Sequence, residues 1–130
     1  MSPAIERIHH VTLTVSDLDR TIPWYCDILG FKAVKRLSDG GMEKALLVRD
    51  GLIVSFVQHG DSAVAGAFDE RRTGLDHLSF AVADRAALDE WVAVLDAGSV
   101  RRGEVTRGLN GWVVAFRDPD NIALEFYTLS

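Results

Sequence analysis

Apolar and polar positions alternate at two corresponding places in the chain. Over residues 8–15, Val11, Leu13 and Val15 fall on one side and His10, Thr12 and Thr14 on the other, which is the two-residue period of a half-buried strand. The period then changes. Ile22, Tyr25, Ile28 and Leu29 recur at helical spacing, with Asp17 or Asp19 available as N-cap and Gly30 as C-terminal stop. Pro23 is tolerated in a first turn but costs ~3 kcal/mol in a helix interior, which favours Asp19 as the cap. Strand patterns at 31–37, 43–49 and 52–59 follow, separated by the turn signals Ser38-Asp-Gly-Gly41 and Asp50-Gly51.

This order of strand, helix and three strands then returns. His10-Val-Thr-Leu-Thr-Val-Ser-Asp17 reappears as His77-Leu-Ser-Phe-Ala-Val-Ala-Asp84, within a strand expected over 75–82. Asp84 caps a helix whose Leu88, Trp91, Val92 and Leu95 share a face before Gly98, and Trp91 matches Trp24. Strands are expected near 100–106, 111–117 and 121–129, the last two joined by the Asp118-Pro-Asp-Asn121 turn. The prediction is an α+β domain spanning 1–130, built as module 1 (about 5–60), a connector (about 61–73) and module 2 (about 74–130). The connector is rich in small and charged residues and reads as an exposed linker, with Arg71-Arg72 solvated.

With 130 residues the chain can bury one continuous core but not two independent ones. No apolar run approaches the roughly 20 residues that span a bilayer, and the first residues form no secretory signal, so the expected location is the cytoplasm. A net charge of −5 with 14 scattered Lys and Arg leaves no basic stripe for nucleic acid. Cys26 is the sole cysteine, which excludes an intrachain disulfide and a cysteine zinc cage, and its apolar helical setting makes it a spectator thiol.

Candidate chemistry lies on the strand faces turned away from the core. His77, Ser79 and Ala81 oppose Leu78, Phe80 and Val82; Ala123, Glu125 and Tyr127 oppose Ile122, Leu124 and Phe126. If the sheets curve toward each other, His10, His77 and Glu125 converge, ringed by Thr12, Thr14, Ser79 and Tyr127. Two imidazoles and a carboxylate suit a divalent ion and leave coordination positions open for Lewis-acid chemistry on a substrate oxygen. Further polar candidates are Glu43 and His59 as bases, and Arg107 and Asn110 in a Gly-rich loop able to hold a substrate anion. Trp112 is wall or core by strand parity.

These motifs, with Trp24-Tyr-Cys-Asp-Ile-Leu-Gly-Phe31, Gly74-Leu-Asp-His-Leu-Ser-Phe80 and Asp118-Pro-Asp-Asn-Ile-Ala-Leu-Glu125, resemble the vicinal oxygen chelate superfamily. That group contains glyoxalase I, fosfomycin-resistance enzymes, methylmalonyl-CoA epimerase, extradiol dioxygenases and bleomycin-resistance proteins. The resemblance covers Ile8 to Thr128. It implies paired βαβββ modules forming a curved, cup-shaped mixed sheet with helices outside, and a divalent metal (iron, manganese, nickel or zinc) that binds two neighbouring substrate oxygens. His10, His77 and Glu125 fall on three family ligand positions, and Ser55 occupies the fourth. Ser55 joins Thr12, Ser79 and Tyr127 as candidate substrate contacts. A homodimer is also implied, since relatives complete their cups by pairing, and the in-chain and swapped arrangements stay open.

Departures from the family narrow the reaction. Glyoxalase I usually has a proton-moving carboxylate where Ser55 stands, and an unperturbed hydroxyl cannot act as a base near neutral pH. Extradiol and fosfomycin enzymes place a tyrosine at the position of Ala115, and Arg107-Gly-Leu-Asn-Gly-Trp112 lacks the extradiol histidine. Glu43, Tyr127 and Arg107 are what remain as catalytic candidates. The leading expectation is a metal-dependent isomerase, lyase or group-transfer enzyme acting on a small oxygenated metabolite or xenobiotic. The alternative is a metal-free or vestigial drug-binding protein of bleomycin-resistance type.

Overall fold

A computed structural model describes all residues from Met1 to Ser130. The chain divides into two compact units, Met1–Val64 and Ala65–Ser130, each a βαβββ module. In the first, β1 (Val11–Thr14), α1 (Leu18–Leu29), β2 (Lys32–Asp39), β3 (Met42–Arg49) and β4 (Leu52–Gln58) form a sheet of order β1-β4-β3-β2. The pair β1–β4 is parallel and the others antiparallel. In the second, β5 (Leu78–Val82), α2 (Arg85–Ala97), β6 (Thr106–Arg107), β7 (Trp112–Arg117) and β8 (Ala123–Thr128) repeat that arrangement as β5-β8-β7-β6, again with one parallel pair.

Each helix covers one face of its own sheet. In module 1 the buried residues Leu13, Val15, Ala45, Leu47, Val54 and Phe56 meet Leu18, Thr21, Tyr25 and Leu29 of α1, and the Tyr25 ring lies 4.6 Å from Phe56. In module 2 the core is Phe80, Val82, Val114, Phe116, Leu124 and Phe126 under Leu88 and Leu95, with Trp91 stacked 4.5 Å from Phe126. Trp24 and Trp91 match in sequence but not in duty: Tyr25, not Trp24, does in module 1 what Trp91 does in module 2.

Three expectations are corrected. Asp17, not Asp19, caps α1, its side chain accepting from the Asp19 N–H, so Pro23 lies inside the helix. The missing Pro23 donor deprives only the carbonyl of solvent-exposed Asp19, which water can satisfy. Second, the inner face of α1 uses Thr21 where Ile22 was expected, and Ile22 and Ile28 are half-buried. Third, the strand expected over 100–106 shrinks to a bridge between Arg102 and Phe116 plus the two-residue β6. Arg101-Arg-Gly-Glu104 has no apolar alternation to hold a strand, and Arg102 instead grips Asp96 in the last turn of α2 at 2.6 and 3.0 Å.

Both hairpin turns of module 1 form where the sequence signals them. Asp50 (φ 48°) and Gly51 (φ 81°) take the paired positive φ of a type I′ turn. At the other, only Gly40 and Gly41 turn, and the strands extend to Asp39 and Met42. Asn121 takes a left-handed conformation, φ 66°, which asparagine tolerates. The connector is less loose than its composition suggests. The Phe68 N–H donates to the Asp120 carbonyl, Asn121 Nδ2 donates to the Phe68 carbonyl, and Glu70 pairs with Arg117 at 2.8 Å. No helix is long and apolar enough to cross a membrane.

Candidate functional site

Helix packing takes up one face of each sheet and leaves the other to a mixture of polar and apolar side chains. In module 1 strand register sets Thr12, Ser55, Leu46 and Lys35 side by side across four strands. With His10, Leu37, Lys44 and Val57 they line a hollow of about 300 Å³. His59 Nε2 lies 3.3 Å from Thr14 Oγ1, so this strand-end histidine is engaged by a neighbour in the same sheet. His10 is exposed, and its Nδ1 is 2.9 Å from Nδ1 of His9. One ring must donate and the other accept, which leaves Nε2 of His10 outside the contact.

Glu43 is placed on the other face. It shares the side of Ala45 and Leu47, and its carboxylate accepts from Arg36 at 3.1 Å, while Arg36 also holds Asp19 of α1 at 2.6 Å. A carboxylate on the helix side, neutralised by a guanidinium, is remote from Thr12 and Ser55 and cannot act as their base.

Module 2 concentrates its acid and imidazole chemistry in one pair. His77 Nε2 lies 3.4 Å from Glu125 Oε1, and His77 Nδ1 lies 2.7 Å from Asp76 Oδ1. An ionised carboxylate can only accept, so Asp76 accepts a hydrogen bond from Nδ1–H and fixes the neutral ring as the tautomer with its lone pair on Nε2, toward Glu125. The Asp76 hydrogen bond, aided by the Glu125 charge and opposed by desolvation, raises the His77 pKa above 6.5. Glu125 is largely sheltered at 17% exposure, against 46% for His77.

The neighbours of Glu125 in register are Ser79 on β5 and Ala115 on β7. A methyl group thus stands where a phenol could have reached the carboxylate. Tyr127 shares the face of Glu125, but its hydroxyl accepts from the Asn110 N–H at 3.1 Å, which ties it to the loop before β7. That loop cannot carry a side chain at Gly108, since a Cβ there would come within 2.0 Å of the Tyr127 hydroxyl. Arg107 lies over Trp112 at 5.0 Å, with Arg85 at 4.4 Å from the same ring. Trp112 has the parity of buried Val114 and Phe116, so it and Arg107 belong to the helix side rather than to the Glu125 face.

Sequence reasoning missed Asp76, His9, Lys35 and Lys44. The first two had a usable signal, since each directly precedes one of the repeated histidines. Lys35 became visible only through register, because a bulge between Ala33 and Lys35 shifts the side-chain parity of β2, whereas Lys44 follows the plain alternation of β3.

No group of three or more His, Cys, Asp or Glu side chains is disposed to hold a metal ion. The His77–Glu125 pair nevertheless fits two positions of one. Donors each about 2.1 Å from a tetrahedral ion lie about 3.4 Å apart, and metal-bound histidines commonly give their other N–H to a carboxylate, as His77 does to Asp76.

A duplicated βαβββ unit that buries one sheet face under a helix and offers histidine, carboxylate and hydroxyl groups on the other defines a class of small-ligand proteins. The chain belongs to the Glyoxalase/Bleomycin resistance protein/Dioxygenase superfamily, whose family model matches residues 7–126. It is 29% identical over 126 residues to the uncharacterized protein YqjT of Bacillus subtilis (strain 168), covering 91% of this chain and 95% of that one. It is 25% identical over 120 residues to catechol-2,3-dioxygenase of the same organism, covering 92% of this chain but only 40% of the enzyme. Among solved structures, a glyoxylase/bleomycin resistance protein/dioxygenase domain from Frankia sp. EAN1pec superposes with a TM-score of 0.89 at 36% identity, covering 96% of this chain and 98% of that one. The fosfomycin resistance protein FosX of Listeria monocytogenes shares the fold, with a TM-score of 0.76 at 23% identity over 98% and 96% of the two chains.

Proposed function

We propose that the chain is a cytoplasmic, metal-dependent enzyme of this superfamily, acting on a small oxygenated metabolite or xenobiotic by isomerisation, elimination or group transfer. The observation that carries the reading is His77 Nε2 facing Glu125 at 3.4 Å while Asp76 holds Nδ1. His77 and Glu125 supply two ligands, and His10, whose Nε2 lies outside its contact with His9, supplies the third from module 1 of the same chain or of a partner in a homodimer. A divalent ion (iron, manganese, nickel or zinc) bound there would add Lewis acidity toward a substrate oxygen. The hydroxyls of Thr12, Ser55 and Ser79 orient the substrate, and Tyr127 braces the loop beside it. The known fold relatives are consistent with this chemistry, since a FosX of Listeria monocytogenes has been crystallised with Mn(II).

The test is metal stoichiometry. Purified protein is expected to hold about one divalent ion per site, and His10→Ala, His77→Ala and Glu125→Gln are each expected to lose it. Absence of stoichiometric metal, or an unchanged content in His10→Ala, ends the reading.

A metal-free binding module is the second reading, favoured by one observation: Glu43, His59 and Tyr127, the groups available for proton transfer, are all engaged elsewhere. Turnover screening with metal-loaded protein separates the two, because a binding module retains ligands without converting them.

A further inference from the structure

The hollow of module 1 carries two cations that the metal reading does not use. Register sets Lys35 opposite Leu46, and Leu37 opposite Lys44, in adjacent rows of β2 and β3. Lys35 and Lys44 are thus diagonal neighbours, about 7–8 Å apart and somewhat closer at Cβ, and their long side chains can bring both ammonium groups to one point. Both line the hollow, whose apolar wall is Leu37, Leu46 and Val57, and no carboxylate lines it. Asp39, at the hairpin end and 64% exposed, pairs with Lys44 at 3.4 Å; Lys35 has no carboxylate partner.

Within a chain of net charge −5, this is a local excess of positive charge over an apolar floor. Lys35 carries no ion-pair partner and the Lys44–Asp39 pair is largely exposed, so an anion entering the hollow meets one unpaired ammonium and a second whose partner lies in water. A neutral ligand filling the hollow would desolvate the Lys35 ammonium with nothing in return. The volume suits a small ligand with a few polar contacts.

We propose that the module 1 hollow takes a small organic oxyanion, a carboxylate or phosphate, with its charged head between Lys35 and Lys44 and its apolar body on Leu37, Leu46 and Val57. The inference rests on reading the bare face of module 1 as a substrate face, and it names the substrate class.

Equilibrium dialysis of the full chain against benzoate, phenyl phosphate and neutral benzamide tests it. One or both anions are expected to bind at least tenfold tighter than benzamide, and the preference between them identifies the head group. The double variant Lys35→Gln/Lys44→Gln should lose at least tenfold in anion affinity with benzamide unchanged, and Lys35→Arg/Lys44→Arg should regain it. Equal binding of benzoate and benzamide, retention of neither anion, or an undiminished affinity in the Gln double variant would overturn the proposal. Metal content in the same samples keeps the two readings apart: Lys35→Gln/Lys44→Gln should keep its metal while it loses the anion.

Discussion

Asp76 offers a sharp test of how module 2 would hold an ion. Its carboxylate is 2.7 Å from His77 Nδ1, a charge-assisted hydrogen bond that fixes both tautomer and ring orientation. Losing such an outer partner typically costs 10- to 100-fold in metal affinity, or about 1.4–2.7 kcal/mol. Asp76 is 73% exposed, so water can take over the Nδ1 proton, and Asp76→Ala should fall near the lower end, about tenfold. Asp76→Asn keeps an acceptor without the charge and should lie between the two. The pH dependence has a definite sign. Because Asp76 raises the His77 pKa, the wild type meets proton competition at a higher pH than the variant does. The affinity gap should be larger at pH 8 than at pH 6, because acidification costs the wild type, with its raised imidazole pKa, more than the variant. Competitive titration of Zn²⁺ against a chelating dye at both values measures it. An Asp76→Ala protein as tight as wild type at pH 8, or a gap that widens on acidification, would refute the second-carboxylate argument.

Two stability predictions concern residues outside the site. Thr21 is fully buried in α1 and its hydroxyl has no hydrogen-bond partner, a burden of about 1–3 kcal/mol; Thr21→Val should stabilise by ~1 kcal/mol, raising Tm by about 4 °C in a thermal melt, whereas Thr21→Ser, which keeps the hydroxyl and loses the methyl, should lower it. Glu70 is held below its usual pKa of 4.5, chiefly by its hydrogen bond from Arg117. Its stabilising contribution is therefore present above pH 4.5 and lost as pH falls through the depressed value. The Tm deficit of Glu70→Gln should be constant from pH 6 to 8, shrink below pH 4.5 and diminish in high salt; a deficit that grows on acidification would contradict the pairing.

Much of the fold was legible because the two periods are clean. Strand alternation around His10 and His77 and helical spacing after Asp17 and Asp84 place β1, α1, β5 and α2 to within a few residues. What was not legible depended on partners distant in sequence. Sequence preference set Asp19 above Asp17 because of Pro23, yet Gln58 on β4 reaches back so that its Oε1 accepts from the Leu18 N–H at 2.8 Å. That contact satisfies a first-turn donor of the longer helix and buries Leu18, outweighing one lost hydrogen bond at the exposed Asp19 carbonyl. Arg49 on β3 donates likewise to the Leu29 carbonyl at the other end of α1, a cap no local pattern announces. For the site, side-chain parity separated the polar face from the core correctly at His77, Glu125 and Tyr127. It could not reveal that Glu43 turns toward Arg36, or that a bulge in β2 brings Lys35 onto the polar face.

Duplication explains why the scaffold is symmetric while its chemistry is not. By register, Thr12, Ser55 and Leu46 of module 1 occupy the places of Ser79, Glu125 and Ala115 in module 2. The buried residues behind them are conserved in kind, with Phe56 and Phe126 each under a helix aromatic, because the fold depends on that layer. On the bare face nothing in the packing dictates identity, and the two copies differ: one gathers Lys35 and Lys44 around hydroxyls, the other a carboxylate beside a histidine. A single pair of equivalent positions, Ser55 against Glu125, therefore marks a division between a face with two lysines and one with a carboxylate beside a histidine. Exchanging the pair as Ser55→Glu with Glu125→Ser should therefore not simply relocate metal binding. The new carboxylate would stand in register beside Leu46 with Lys35 in the next place, where an ammonium competes with any cation for it.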